Sequence, residues 1–106
     1  MALLLCIDTS TTHASVALVR DEEVLCIKVN QQQKDHASFL QPAIKEIIFE
    51  SKLNLADVKA IAVTSGPGSY TGLRVGFSSA KGLCYALQIP LIAISTTEVM
   101  SAAALQ

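Results

Sequence analysis

A carboxylate and several hydroxyl side chains follow the first apolar run of the sequence. Asp8, Thr9 and Ser10 come directly after residues 2–7, an apolar segment that predicts a strand buried on both faces. An aspartate with neighbouring hydroxyl groups at the carboxyl end of a strand can hold a Mg-bound phosphate. These three residues are therefore the candidate cofactor-binding positions. The same side chains can instead satisfy a tight β-turn, which is the interpretation that the residues alone favour.

A glycine-rich segment at residues 65–76, SGPGSYTGLRVG, is the second place where the chain could bind a ligand. It joins a β-branched run to a helical pattern, and Gly66, Pro67 and Gly68 are typical of a tight turn. An exposed helix N-terminus after such a turn suits an anion or a closely approaching partner. The segment lacks the Gly-Lys-Ser/Thr ending of a P-loop and the Gly-x-Ser-x-Gly pattern of a nucleophile elbow. A purely structural strand-to-helix turn is therefore the competing interpretation.

Small residues recur at every fourth position along the helix that follows this segment. Gly72, Gly76 and Ala80 form a stripe that allows close approach of another backbone, and Phe77 belongs to an apolar surface beside it. Since glycine inside a helix costs about 1 kcal/mol relative to alanine, a packing reason is expected. The stripe could face the sheet beneath it or a helix of another subunit, and the sequence leaves both open.

Neither the histidines nor the cysteines are spaced as metal ligands. His13 and His36 stand alone, and Cys6, Cys26 and Cys84 are isolated in apolar runs. The cysteines are typical of buried thiols in a reducing compartment. No signal peptide or membrane span is expected, because a charge interrupts the first apolar run early.

The composition indicates one domain or lobe of 106 residues with a markedly apolar character. Hydrophobic residues make up 51% and charged residues 16%, with a formal net charge of −1. Lysines and arginines are scattered rather than clustered, which argues against strong binding of nucleic acid by this chain alone. A partner or a second domain is expected to cover part of the apolar surface.

Local patterns predict an α/β chain with elements in the order βββαβαβα. The predicted elements are strands at residues 2–7, 15–20 and 24–29, a helix at 37–52, a strand at 59–64, a helix at 72–87, a strand at 91–95 and a final helix from Thr96 or Thr97. Pro42 is expected in the first turn of the first helix, where its missing N–H costs nothing. An antiparallel meander followed by two right-handed crossovers predicts a mixed five-stranded sheet with helices on its faces.

Four segments of the chain resemble the TsaB (YeaZ) family, the bacterial partner subunit in threonylcarbamoyladenosine modification of tRNA. They read IDTSTTHASVAL at residues 7–18, HASFLQPAI at 36–44, SGPGSYTGLRVG at 65–76 and AKGLCYALQIPLIAIST at 80–96. The resemblance implies an actin/Hsp70/sugar-kinase-like fold of two RNase H-like lobes. Residues 1–106 would form the single N-terminal lobe, and the second lobe of the family would be absent from this chain.

The related TsaD family, which supplies the catalytic subunit, shares the glycine-rich segment but carries two metal-binding histidines after the fifth strand. Thr96 and Met100 occupy the corresponding positions here, and neither suits a hard cation. The resemblance therefore implies no metal site, no catalytic residues and no activity of this chain on its own.

The resemblance further implies that the two helices pack against equivalent helices of a TsaD-type catalytic subunit, or of a second copy in a homodimer. The expected contact residues are Phe39, Ala43, Ile47, Gly72, Gly76, Phe77 and Ala80. A TsaE-type ATPase in the complex, tRNA contact only through the complex, and a cytoplasmic location are implied as well. ATP or ADP with Mg is expected only in the full-length protein or the complex. The alternative function is a nucleotide-dependent small-molecule kinase or ATP-binding protein of the same superfamily, with Asp8 near the phosphates.

Overall fold

A mixed five-stranded sheet organises the chain in the computed structural model, which describes residues 3–9, 14–21, 23–30, 36–66 and 70–95. The elements are β1 (Leu3–Asp8), β2 (Ala14–Arg20), β3 (Glu23–Asn30), α1 (His36–Ser51), a 3₁₀ turn (Leu55–Asp57), β4 (Ala60–Gly66), α2 (Tyr70–Leu87) and β5 (Leu91–Ser95). This order confirms the predicted one as far as β5. The final predicted helix, from Thr96 or Thr97, lies outside the described residues.

The strands lie in the order β3-β2-β1-β4-β5, which confirms the predicted meander and crossovers. β1 pairs antiparallel with β2, and β2 pairs antiparallel with β3. β1 and β4 are parallel, as are β4 and β5. The chain advances across the sheet in one direction, from β3 to β4 and then to β5. Crossovers between parallel strands are right-handed in nearly all sheets, and two such crossovers in one direction place their helices on the same face. The contacts between α1 and α2 agree with this placement.

The core lies between that face and the two helices. α1 contacts β2 and β3, α2 contacts β1, β4 and β5, and the helices contact each other. Alternate residues of β1 and β2 point into this layer, as the period of a strand requires. The buried cluster consists of Leu3, Leu5, Ile7, Val16, Leu18, Leu40, Ala43, Ile44, Ile47, Val58, Ile61, Val63, Ala80 and Cys84.

Pro42 is not in the first turn of α1, and that part of the sequence prediction is wrong. The helix begins at His36, so Pro42 lies in its second turn. Its ring removes the hydrogen bond that Ser38 would otherwise accept, a change that costs about 3 kcal/mol in a helix interior. Leu40, Ala43 and Ile47 are buried on the opposite side of the same turns. Burial of this apolar stripe offsets the lost hydrogen bond, because tertiary packing supplies most of a protein helix's stability.

Candidate functional site

The carboxyl ends of the parallel strands form one edge of the sheet, where ligands of open α/β sheets commonly bind. Asp8 is the last residue of β1 and is half-buried at this edge. Thr64 lies near the end of β4, and its hydroxyl donates to the carbonyl oxygen of Ile7 at 3.4 Å. Ser10 lies outside the described residues. The edge therefore presents one of the three predicted cofactor-binding side chains.

Thr9, the second of the three, has a packing role. Its side chain is fully buried, with 0% exposure, and its Oγ1 lies directly against Gly76 of α2. A Cβ atom at position 76 would overlap that oxygen and stand 3.5 Å from Cγ2 of Val63. A buried hydroxyl cannot reach a ligand at the surface in this conformation. Of the two predicted cofactor-binding residues that the structure describes, Asp8 is therefore the one that a phosphate at this edge could reach.

Gly76 is required because α2 crosses the end of β1 at very short range. Ala80 follows one turn later and is also fully buried. Gly76 and Ala80 of the small-residue stripe thus face the sheet, which was one of the two alternatives that the sequence left open. Gly72 lies in the first turn of α2, where the surroundings of the residue are outside the description.

Four of the seven expected partner contacts are inside the chain's own core. Ala43 is 3% exposed, Ile47 and Ala80 are 0% exposed, and Gly76 is buried. The prediction is wrong for these four residues as direct contacts, because they have no surface to offer to a partner. Helical spacing identified the apolar face correctly, but it does not say which neighbour covers that face.

Phe39 and Phe77 are half-buried and pack against the edge of the core cluster. Each keeps part of its ring accessible, so a contact with a partner is still possible for both. They stay predictions, together with Gly72.

The surface that α1 and α2 turn away from the sheet carries two large aromatic side chains that the sequence reasoning missed. Phe49 is 84% exposed and Tyr85 is 88% exposed. Each falls outside the buried stripe of its helix, and this break in the pattern is the signal that could have identified them. The outer helix surface, as we define it, consists of the exposed residues Ser38, Gln41, Pro42, Lys45, Phe49, Ser78, Lys81, Gly82 and Tyr85.

The acidic side chains of α1 on the flank nearest β3 form ion pairs with a lysine of β3. The ammonium group of Lys28 lies 2.6 Å from a carboxylate oxygen of Glu50 and 3.9 Å from one of Glu46. The hydrogen bond with Glu50 raises the pKa of Lys28, and the negative charges of both carboxylates act in the same direction. The charged members of the outer helix surface are lysines, and α2 has no acidic residue in its sequence.

The described ranges contain neither a cluster of metal ligands nor a helix that could span a membrane. No three His, Cys, Asp or Glu side chains among these residues lie together as metal ligands would. The positions that carry histidines in the TsaD family, Thr96 and Met100, lie outside these ranges. Neither described helix combines the length and the apolar character needed to cross a membrane.

Comparison with known families matches residues 23–106 to the family described as TsaD: tRNA N6-adenosine threonylcarbamoyltransferase. The chain belongs to this family. Two curated relatives are named tRNA threonylcarbamoyladenosine biosynthesis protein TsaB, one from Haemophilus influenzae and one from Bacillus subtilis. The first is 42% identical over 103 residues and the second 35% identical over 99. These relatives confirm the resemblance of the chain to the TsaB (YeaZ) proteins.

The matches cover 97% and 93% of this chain but 43% of each relative. The chain therefore spans less than half the length of these curated relatives.

Solved structures confirm the fold class. YeaZ from Pseudomonas aeruginosa is 37% identical, with a TM-score of 0.84 over 90% of this chain and 44% of that one. RuvC of T. thermophilus, solved in complex with a Holliday junction substrate, has a TM-score of 0.62 over 95% of this chain and 69% of its own. At 13% identity, RuvC shows a likeness of fold alone. Both neighbours support the RNase H-like, actin/Hsp70/sugar-kinase type of lobe.

Proposed function

We propose that this chain is part of a non-catalytic subunit that binds and activates a TsaD-type threonylcarbamoyltransferase in tRNA modification. Its relatives are named for threonylcarbamoyladenosine biosynthesis, so involvement in that process is the coarser statement that they support. The observation that carries the finer proposal is the outer helix surface, where Phe49 and Tyr85 lie largely in water. Exposed aromatic side chains of this size are typical anchors of protein interfaces.

The outer helix surface is large enough for a stable interface. With 16 and 18 residues, α1 and α2 are about 24 and 27 Å long. Helices packed side by side lie about 10 Å apart, so the pair presents roughly 500 Å² of projected area. A standard interface buries about 800 Å² of accessible surface per partner, and accessible area exceeds projected area on a rough surface. Docking of two partner helices on this pair supplies an interface of that order.

The other partners follow from the same proposal. A TsaE-type ATPase joins the complex, tRNA is contacted only through it, and the assembly works in the cytoplasm. The chain forms a homodimer when the catalytic subunit is absent. The residues at the strand edge fit a nucleotide incompletely, because Thr9 is buried. ATP or ADP with Mg therefore belongs to the full-length protein or the complex.

A nucleotide-binding protein or small-molecule kinase of the same superfamily is the second candidate. The position of Asp8 at the carboxyl edge of β1 is the observation that favours it. Calorimetric titration of the full-length protein with Mg-ATP separates the two candidates. Tight binding that is lost in Asp8→Ala favours the kinase. Binding that survives Asp8→Ala, or no heat of binding, leaves the subunit proposal in place.

The main experiment is co-purification of the full-length chain with the catalytic subunit, followed by measurement of threonylcarbamoyl transfer to tRNA. Gly82→Glu places a charged side chain on the outer helix surface, where an added Cβ would meet nothing within 4 Å. Lys59→Glu is the matched control, because Lys59 is exposed outside both helices. We expect Gly82→Glu to lose the catalytic subunit and the activity, and Lys59→Glu to keep both. Full activity of Gly82→Glu would contradict the proposed docking face.

A further inference from the structure

The outer helix surface carries positive charge and no carboxylate. Its charged members are Lys45 of α1 and Lys81 of α2, and both are exposed. Arg74 is the other charged residue of α2, so every charged position of that helix is basic. The chain as a whole has a formal net charge of −1. Its charges are therefore separated, with positive charge on the proposed docking face.

The two carboxylates of α1 lie on the flank of that helix, where a lysine of β3 binds them. Lys28 is 2.6 Å from a carboxylate oxygen of Glu50 and 3.9 Å from one of Glu46. Neither Lys45 nor Lys81 forms an ion pair with another described residue. The described part of the chain thus supplies no carboxylate for either ammonium group of the docking face.

Lys45 also lines an apolar groove of about 320 Å³ along the C-terminal half of α1. The other lining residues are all apolar: Ile44, Ile48, Phe49, Leu53 and Leu55. Because Phe49 is largely exposed, the groove opens onto the outer helix surface. An apolar side chain of a partner fits this groove, and its entry removes water from around the ammonium group of Lys45.

Removal of water from a charged group is costly unless an opposite charge replaces that water. A carboxylate is the group that replaces it best, because an ammonium group donates to it in short, charge-assisted hydrogen bonds. A partner surface of the same positive sign would be repelled, since like charges across an interface oppose association. Apolar contact alone therefore does not complete this docking face, and the partner has to bring negative charge.

We propose that the surface of the catalytic subunit that docks here is an apolar patch edged by carboxylates. Asp or Glu side chains of that subunit lie opposite Lys45 and Lys81, and one of its apolar side chains enters the groove. The inference rests on the proposed function, because it assigns the chemistry of the partner at the same docking face. The positive face attracts the acidic surface during approach, so ionic strength governs the rate of association more than the rate of dissociation. The two lysines thereby select an acidic partner over a basic one of the same shape.

Zero-length carbodiimide coupling of the assembled full-length proteins tests which groups face each other. The reagent activates a carboxylate, a contacting lysine amine displaces the activated group to form an amide, and the carbodiimide leaves as a urea. Peptide mass spectrometry should find Lys45 and Lys81 joined to Asp or Glu residues of the catalytic subunit. Lys59 is exposed outside both helices and is the internal control, which should form no such link. Links to the catalytic subunit from Lys59, with none from Lys45 or Lys81, would overturn the inference.

Binding kinetics test the same charges without cross-linking. At about 0.05 M salt the double variant Lys45→Gln, Lys81→Gln should bind the catalytic subunit about tenfold more weakly than the wild type. The double variant Lys45→Arg, Lys81→Arg keeps both charges and should bind as the wild type does. Lys59→Glu changes the net charge by the same amount away from the face, and its affinity should stay within about twofold of the wild type. Raising the salt to about 0.5 M should slow wild-type association at least about threefold and leave the double glutamine variant much less affected.

The outcomes separate this inference from the proposed function. Wild-type binding of equal strength at both salt concentrations, with no loss in the double glutamine variant, would overturn the charge assignment and leave the proposed function in place. Equal weakening by Lys59→Glu would assign the effect to net charge and not to this face, and it would overturn the inference as well. Failure of the wild type to bind the catalytic subunit at either salt concentration would contradict the proposed function itself, and the inference with it.

Discussion

Gly76→Ala is the substitution whose effect the structure specifies most closely. The new methyl group would overlap Oγ1 of Thr9 and stand 3.6 Å from its Cβ and 3.5 Å from Cγ2 of Val63. Thr9 directly follows β1, which is paired with β2 on one side and β4 on the other. Because β1 is held on both sides, the methyl group is accepted only if Thr9 leaves its buried rotamer or α2 shifts outward. The expected result is a less stable fold.

A matched control removes the effect of helix propensity from the measurement. Replacing glycine by alanine inside a helix ordinarily stabilises it by about 1 kcal/mol. Gly82 is in the same helix, and a Cβ there would meet nothing within 4 Å, so Gly82→Ala should show that gain alone. Gly76→Ala adds the cost of overpacking, about 1–3 kcal/mol. The two variants should therefore differ by about 1–3 kcal/mol in free energy of unfolding, with Gly76→Ala the less stable.

Urea denaturation followed by circular dichroism measures this difference, and a double-mutant cycle assigns it to the contact. Thr9→Ala removes the hydroxyl oxygen but keeps the Cβ, which is at an ordinary contact distance. In the Thr9→Ala background, Gly76→Ala should cost at least about 1 kcal/mol less than in the wild type. If Gly76→Ala is as stabilising as Gly82→Ala, the close approach of α2 to β1 is wrong. A coupling energy near zero would assign the cost to another contact.

The close contact between Gly76 and Thr9 also predicts that a large side chain at position 76 disrupts the fold itself. If Gly76 contacted a partner, as expected from the sequence, Gly76→Leu would weaken partner binding and leave the fold intact. In the structure a leucine side chain at position 76 would point at the sheet. The variant should therefore lose its cooperative unfolding transition. A folded, monomeric Gly76→Leu protein would contradict this explanation.

Three further predictions concern the helix end, the ion pair and the thiols. Gln88 directly follows α2 and has φ 57, a conformation that Gly tolerates better, so Gln88→Gly should stabilise the fold by about 1 kcal/mol in urea titrations. As the control, Ala86→Gly places a glycine inside α2 and should lower the free energy of unfolding by a similar amount. Because the pKa of Lys28 is raised above 10.5, its stabilising effect is complete below that pH and is lost as pH rises through the folded-state value. This alkaline loss should shrink in Glu50→Gln, and an unchanged pH profile would exclude the ion pair as its source. Burial raises the pKa of the Cys84 thiol, so alkylation of Cys84 should follow global unfolding, as peptide mass spectrometry can show.

Much of the fold was predictable because its signals are local. The continuous apolar run of β1, the short links of the meander and the turn chemistry before α2 each depend on residues near one another in the chain. β5 was predicted at residues 91–95 and lies at Leu91–Ser95. Pro42 was misplaced because a proline usually starts a helix, whereas the buried stripe of α1 holds the turn that precedes it.

The candidate site was less predictable, because the exposure of each of its residues depends on which other element of the fold packs against it. Phe49 and Ile47 are both apolar residues of one helix turn, yet one is exposed and the other is in the core. The repeat of Gly72, Gly76 and Ala80 predicts that another element packs closely against α2, but it does not indicate which element. Only the position of α2 over the end of β1 showed that Thr9 is that neighbour at Gly76.

The sequence by itself determined the order of strands and helices, the mixed five-stranded sheet and the resemblance to the TsaB family. These follow from periodicity, turn residues and motifs, which are properties of short segments. The tertiary structure alone decided that Gly76 faces the sheet and that Phe49 and Tyr85 face outward. The physical reason is that a side chain is buried only when a second surface packs against it. A sequence segment shows its own surface, and the second surface is known only once the chain is folded.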